Sequence, residues 1–168
     1  MKTSQNDFKN IVKDYSPRLY AHIRSILLNH HDTDDVLQNT FIKAWIGLGD
    51  FKENSELSTW LFRIATNEAL QHLRKQKLRR LLFLPIETEI HNSINPDESL
   101  NDGRSIRLKL EKALQKLSVR QRMIFGMKYF NEMKYKDMAE LLNLKEGTLK
   151  AVYHQATNKI EKYFEEND

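Results

Sequence analysis

Apolar residues along this chain recur at helical spacing almost from end to end, and nowhere do they alternate as a half-buried strand requires. Phe8, Ile11, Val12 and Tyr15 make one face, and Leu19, Ile23, Ile26 and Leu27 continue the pattern beyond Ser16-Pro17. Serine followed by proline suits a cap and first helical position, so the sequence predicts a new helix starting there. Asn29 to Asp32 reads as a further break, with Thr33 as N-cap and Asp34 and Asp35 favoured by the dipole of the next helix. That helix is expected to bury Leu37, Phe41, Ala44, Trp45 and Leu48 and to end around Gly47 and Gly49. A third long helix carries Trp60, Leu61, Ile64, Ala65, Leu70 and Leu73.

The pattern lapses from Leu84 to Gly103, where Pro85, Pro96 and acidic residues dominate without one lysine or arginine. This stretch reads as a linker. Ile106, Leu110, Leu114 and Leu117 restart a helix, and Ser118 with Gln121 three residues on fits a capping box. Two further helices are predicted over 135–143 and 146–164. The expected fold is all-α: a helical domain over 1–78, a flexible linker over 79–104, and a second helical domain over 105–168 containing a helix-turn-helix.

With 168 residues and no cysteine, the chain has no disulfide framework, thiol nucleophile or cysteine-ligated zinc. No apolar run approaches the roughly 20 residues that cross a bilayer, and Met1 to Asn6 lacks a signal peptide's apolar segment, so a cytoplasmic location is expected. The net charge is only +4, yet it is strongly blocked: residues 57–82 carry +5 and residues 83–102 carry −5. Alternating blocks suit separate surfaces, some for phosphate and some for another protein, or an ordinary solvated helical surface.

Three stretches carry candidate chemistry. In the first, Ala139 is the small residue that lets a second helix approach, and Asn143, four positions later, tolerates a left-handed backbone. Met138, Leu142, Leu144, Leu149 and Val152 supply the apolar flanks of a helix-turn-helix, or of a plain helical hairpin. Its second helix would bury Leu149, Tyr153, Ala156 and Ile160 and present Thr148, Lys150, Ala151, His154, Gln155 and Asn158. In the second, Asp50 to Glu68 is a polar loop entering a helix with aromatic and basic residues interleaved, the ingredients of a single-strand site, although Trp60 and Phe62 equally suit a core. In the third, His30, His31, Asp32, Asp34 and Asp35 could bind a divalent metal in a hydrolase, but no second ligand cluster accompanies them.

Asp32 to Trp45, Ser58 to Asn67 and the helix-turn-helix stand in the order and spacing of bacterial sigma factors of the extracytoplasmic-function group. The chain resembles their regions two and four joined by a linker, over about 1–78 and 105–165. That resemblance implies a non-enzymatic promoter-recognition factor without cofactor or metal, which binds core RNA polymerase and promoter DNA and is held by an anti-sigma factor. It implies polymerase docking through Asp35, Gln38 and Phe41. It implies minus-ten recognition and melting through Phe51, Lys52, Asn54, Ser55, Thr59, Trp60, Arg63 and Asn67. Minus-thirty-five contacts fall on Lys128, Tyr135, Lys136, Thr148, Lys150, Ala151, His154 and Gln155. The chain departs from the pattern where Val152, Gln155 and Thr157 replace frequent arginines, and where Lys145 replaces a small N-cap. A one-component helix-turn-helix regulator is the alternative from another class, and it leaves Asp35 to Asn67 unexplained.

Overall fold

A computed structural model describes residues 5–51, 56–82 and 102–167. Among these, seven α-helices and one 3-10 turn account for the architecture, and no strand occurs. They are α1 (Gln5–Leu27), α2 (His30–Gly47), the turn Leu48–Asp50, α3 (Leu57–Leu82), α4 (Asp102–Gln115), α5 (Val119–Tyr129), α6 (Tyr135–Leu142) and α7 (Glu146–Glu166). Helices α1, α2 and α3 pack on one another; α7 packs on α4, α5 and α6. The two groups also meet, α1 against α5 and α3 against α6.

Helix α1 passes through Pro17 without a break, contrary to the sequence reading. Pro17 and Lys13 are both on the solvent side, so the Lys13 carbonyl that proline leaves unpaired can be hydrated. The Ser16 hydroxyl, rather than capping a new helix, donates to the Val12 carbonyl at 2.6 Å. Continuous packing of Phe8, Ile11, Tyr15, Leu19, Ile23 and Ile26 offsets the roughly 3 kcal/mol that an internal proline costs.

The start of α2 also differs. Asn29 is the N-cap, its side-chain oxygen accepting from the Asp32 amide at 3.0 Å. Thr33 lies inside the helix, fully buried, its hydroxyl donating to the Asn29 carbonyl at 2.6 Å. The buried stripe of α2 is Thr33, Val36, Thr40 and Ala44, so the expected stripe is rotated: Leu37 and Phe41 are half-buried and Trp45 is 48% exposed. On α3 the buried residues are Thr59, Leu61, Phe62, Ala65, Thr66 and Ala69, while Trp60, Ile64, Leu70 and Leu73 are only partly covered. Helix α3 runs on to Leu82 and α4 already contains Gly103, which narrows the interval between helices to 83–101.

The capping box at α5 forms as the spacing predicts: Ser118 Oγ accepts from the Gln121 amide at 3.2 Å, and Gln121 Oε1 accepts from the Ser118 amide at 3.1 Å. One core cluster runs from Leu19, Ile23 and Phe62 through Ile124 and Met127 to Met138 and Leu149, joining both helix groups. A second gathers Ala113, Leu114, Leu117, Phe125, Ala156 and Ile160. Leu28, just after α1, adopts a left-handed backbone with φ of 60°, a conformation that costs a non-glycine residue about 1–2 kcal/mol. Its side chain packs on the second cluster, which compensates that strain.

Candidate nucleic-acid interface

The turn between α6 and α7 is built by local chemistry. Asn143 takes the left-handed conformation at φ 52° and ψ 48°, its amide donating to the Ala139 carbonyl, and the Leu144 amide reaches the same carbonyl at 3.1 Å. The fully buried Met138 and Leu149 hold the two helices together across this turn. Lys145 caps α7 with an extended backbone and no side-chain hydrogen bond, as expected of a residue with no acceptor. Leu149, Ala156 and Ile160 are buried as predicted, and Tyr153 is half-buried.

That packing leaves Lys150, Ala151, His154, Gln155 and Asn158 exposed on α7, with Thr148 half-buried beside them. Asn158 Nδ2 lies 3.2 Å from His154 Nε2. Lys128 and Lys150 both place their ammonium groups over the Tyr135 ring, at 4.9 and 5.5 Å from its centroid. Lys128 also donates to the Met133 carbonyl at 3.3 Å, and Lys136 is exposed nearby in sequence. Partial burial, and then the neighbouring Tyr153, push the Tyr135 hydroxyl pKa up, so the phenol stays neutral at working pH. Lys128, Tyr135 and Lys150, widely separated in sequence, thus form one basic cluster beside the exposed face of α7.

On α3 the residues named from sequence divide. Arg63 and Asn67 lie one turn apart on an accessible face. Thr59 is 6% exposed and is part of the packing. Trp60 stands between core and surface: its ring leans on Phe51 at 5.0 Å between centroids and sits close to Gly47, where a Cβ would lie 3.3 Å from it. Arg63 is paired with Glu140 of α6 at 3.7 Å. Lys52, Asn54 and Ser55 lie outside the described residues.

Asp35 and Gln38 are exposed on α2, and Phe41 is half-buried with its ring edge-on to Phe8 at 6.4 Å. A polar groove between α2 and α3 brings Asp35, Gln38 and Asn39 together with His72, Lys75, Gln76 and Arg79. Lys75, Gln76 and Arg79 belong to the basic run Arg74 to Arg80, which the sequence offers as backbone cations for a single strand, and they line this groove with Asp35 and Gln38 instead. Sequence reasoning also missed the exposed apolar group Ile42, Trp45 and Ile46, because tryptophan was assigned to the core by hydropathy. Its own signal was the i, i+3, i+4 spacing, offset from the buried Thr40 and Ala44.

The acidic and histidine-rich start of α2 is used for packing. Asp32 accepts from Gln76 at 2.9 Å and lies 3.3 Å from His72 Nε2, while His30 bonds the Tyr20 hydroxyl and His31 pairs loosely with Asp35 at 3.8 Å. Among the described residues, no group of three or more such side chains converges as metal ligands. Among the described residues the buried histidine is His22. Its Nε2 lies 2.8 Å from Thr66 Oγ1, whose own proton goes to the Phe62 carbonyl, so Nε2 carries the ring proton. Its Nδ1 has no partner, and full burial lowers the pKa to about 3, which keeps the ring neutral.

The family descriptions "Sigma-70 region 2" and "Sigma-70, region 4" match residues 11–79 and 107–160. The ECF RNA polymerase sigma factor SigW of Bacillus subtilis is 31% identical over 169 residues, covering 96% of this chain and 90% of that one. This chain is an ECF sigma factor of the sigma-70 family. SigM of the same organism is 24% identical over 152 residues, covering 89% of this chain and 90% of its own. The sigma factor RpoE of Bartonella quintana, solved in complex with the anti-sigma factor NepR, superposes with a TM-score of 0.75 at 27% identity, covering 95% of this chain and 97% of the other. In this sigma factor the region 2 match takes in most of α1 and all of α2, and ends within α3. The region 4 match takes in most of α4, all of α5 and α6, and α7 as far as Ile160. None of the described helices is long and apolar enough to cross a membrane.

Proposed function

We propose that this sigma factor divides promoter recognition between its two helix groups and docks on core RNA polymerase through α2. The observation that carries the reading is the exposed face of α7. Lys150, Ala151, His154 and Gln155 stand clear of a helix-turn-helix whose core and left-handed turn are fully formed. A helix of this kind fits the major groove, Gln155 and Ala151 suiting an adenine edge and a thymine methyl, and Lys150 with Lys128 a backbone phosphate. Arg63 and Asn67 on α3, together with Phe51, Trp60 and the polar residues Lys52, Asn54 and Ser55, take the minus-ten strand. Thr59 supports that surface from within, since its side chain is buried.

Asp35 and Gln38, at the rim of the α2–α3 groove, carry the polymerase contact, with Phe41 shaping the helix face behind them. In this reading the first domain runs to the end of α3 at Leu82 and the second begins with α4 at Asp102, a few residues beyond the limits of 78 and 105 expected from sequence. The RpoE–NepR complex supports an anti-sigma partner for this chain too. Acting with polymerase, the factor works in the cytoplasm and directs another enzyme rather than catalysing a reaction itself. In vitro transcription with purified core polymerase and a promoter library tests all of this at once. The factor should redirect initiation to a defined promoter class. Specific DNA binding with no effect on core would support a one-component regulator instead.

A further inference from the structure

Asn158 shares the exposed face of α7 with Lys150, Ala151, His154 and Gln155, yet the promoter reading leaves it without a role. It stands one helical turn beyond His154, and its side-chain nitrogen Nδ2 lies 3.2 Å from His154 Nε2. An amide nitrogen can only donate, so the imidazole nitrogen it faces is the acceptor and carries no proton. In the neutral ring the proton then sits on Nδ1. A free histidine side chain in water favours the opposite form, protonated at Nε2, so the tautomer at 154 is one that its neighbour selects. Thr157, between the two, turns its hydroxyl to the His154 carbonyl at 2.9 Å and does not compete for the ring. Lys150, one turn before His154, holds its ammonium group over the Tyr135 ring.

We propose that Asn158 is a positioning residue that fixes His154 as a hydrogen-bond donor through Nδ1, and that His154 thereby selects a base presenting an acceptor in the major groove. Guanine offers N7 and O6 and thymine offers O4, whereas cytosine presents an amino donor that an Nδ1–H opposes. Adenine, with acceptor N7 beside donor N6, falls between. In the other tautomer Nδ1 is a bare acceptor, and the preference turns to the amino groups of cytosine and adenine. One contact along the helix thus sets which way a position of the minus-thirty-five element is read. The base choice rests on the placement of α7 in the major groove proposed above; the tautomer does not.

Heteronuclear NMR of the full chain, without polymerase or DNA, reads the tautomer, because ring nitrogens with and without a proton have well-separated shifts. In a mildly alkaline buffer the His154 signals, identified by their loss in His154→Ala, should show a protonated Nδ1 and a bare Nε2. His22, whose Nε2 carries the proton, serves as an internal reference for the opposite form. Asn158→Ala should return His154 to the Nε2–H form, and Asn158→Asp, which can only accept, should hold it there. Both residues are exposed, so these variants leave the core intact.

Selection of minus-thirty-five sequences by the factor bound to core polymerase, in the same buffer, reads the base. The parent should favour guanine or thymine over cytosine by about tenfold at one position, and Asn158→Ala should cut this to about twofold. Asn158→Asp should turn the preference toward cytosine or adenine. In a His154→Ala chain, Asn158→Ala should change nothing further at that position, as befits a residue that acts only through the imidazole. A protonated Nε2 on His154 in the parent, or an unchanged tautomer in Asn158→Ala, would overturn the positioning role. An altered tautomer with unaltered base preference, or a further change in the His154→Ala chain, would overturn the link to base choice. A chain with the Nδ1–H form that fails to direct transcription with core polymerase would refute the sigma reading, and the base choice with it, and leave the tautomer standing; an active factor with the Nε2–H form would do the reverse.

Discussion

Acid should weaken this protein through the buried His22. In the folded chain its ring is fully buried, bonded only at Nε2, and holds a pKa of about 3; in an unfolded chain the pKa returns to about 6.5. The unfolded state therefore binds a proton that the folded state refuses, and stability falls as pH drops below the unfolded value. The stabilisation is fully present above about pH 6.5 and is lost toward the folded pKa, at about 1.4 kcal/mol per pH unit. Between pH 7.5 and 4.5 that amounts to about 2.7 kcal/mol, a large share of a typical domain's 5–15 kcal/mol. Urea unfolding at half-unit pH steps measures it, with His22→Gln as the reference, because glutamine can still donate to Thr66 Oγ1 but does not titrate. Carboxylates titrate alike in both proteins, so the difference between the two curves isolates the histidine. Parallel curves across this range would refute the argument and mean that the His22 pocket admits water or opens on protonation.

Three further outcomes are expected. Asp35→Arg should weaken binding to core polymerase about tenfold while leaving the helical circular dichroism unchanged, since Asp35 is exposed and reverses charge at a rim contact; a pull-down with core checks it. Lys150→Ala should weaken binding to all minus-thirty-five sequences alike and lower the salt slope by about one, whereas Gln155→Ala should relax preference at one base by about 1–3 kcal/mol, as binding selections at two salt concentrations would show. Lys145→Asp supplies the cap that α7 lacks and should stabilise the protein by about 0.5–2 kcal/mol, raising the thermal midpoint by a few degrees in a melting experiment.

The parts of this molecule that were legible in the sequence are those decided within a few residues. Asn143, the Ser118–Gln121 box and the absent cap at Lys145 follow from local backbone chemistry, and so did the buried Leu149, Ala156 and Ile160 of α7. The face of α2 was misjudged because its interior is filled by threonines. Thr33 and Thr40 each return the hydroxyl to a carbonyl one turn back and so present a methyl to the core. A hydropathy pattern discounts such residues and promotes tryptophan, so the stripe appeared rotated by part of a turn. Pro17 misled for a related reason: whether a proline breaks a helix depends on whether the freed carbonyl faces water. The placement of Arg63 beside Glu140 depends on how distant helices meet, and no periodicity within one segment carries that information.

The two lysines gathered over Tyr135 bear on how fast, and not only how tightly, this protein finds DNA. Flexible lysine side chains usually surrender most of their rotational freedom when they grip a phosphate. Here Lys128 and Lys150 already share one aromatic platform before any nucleic acid arrives. Attraction to the ring's negative face offsets their mutual repulsion and keeps two positive charges concentrated at one spot on the surface. Much of the ordering that a phosphate would impose is therefore in place beforehand. Such a spot acts as a fixed landing point, and encounter there should be governed by ionic strength far more than by side-chain rearrangement.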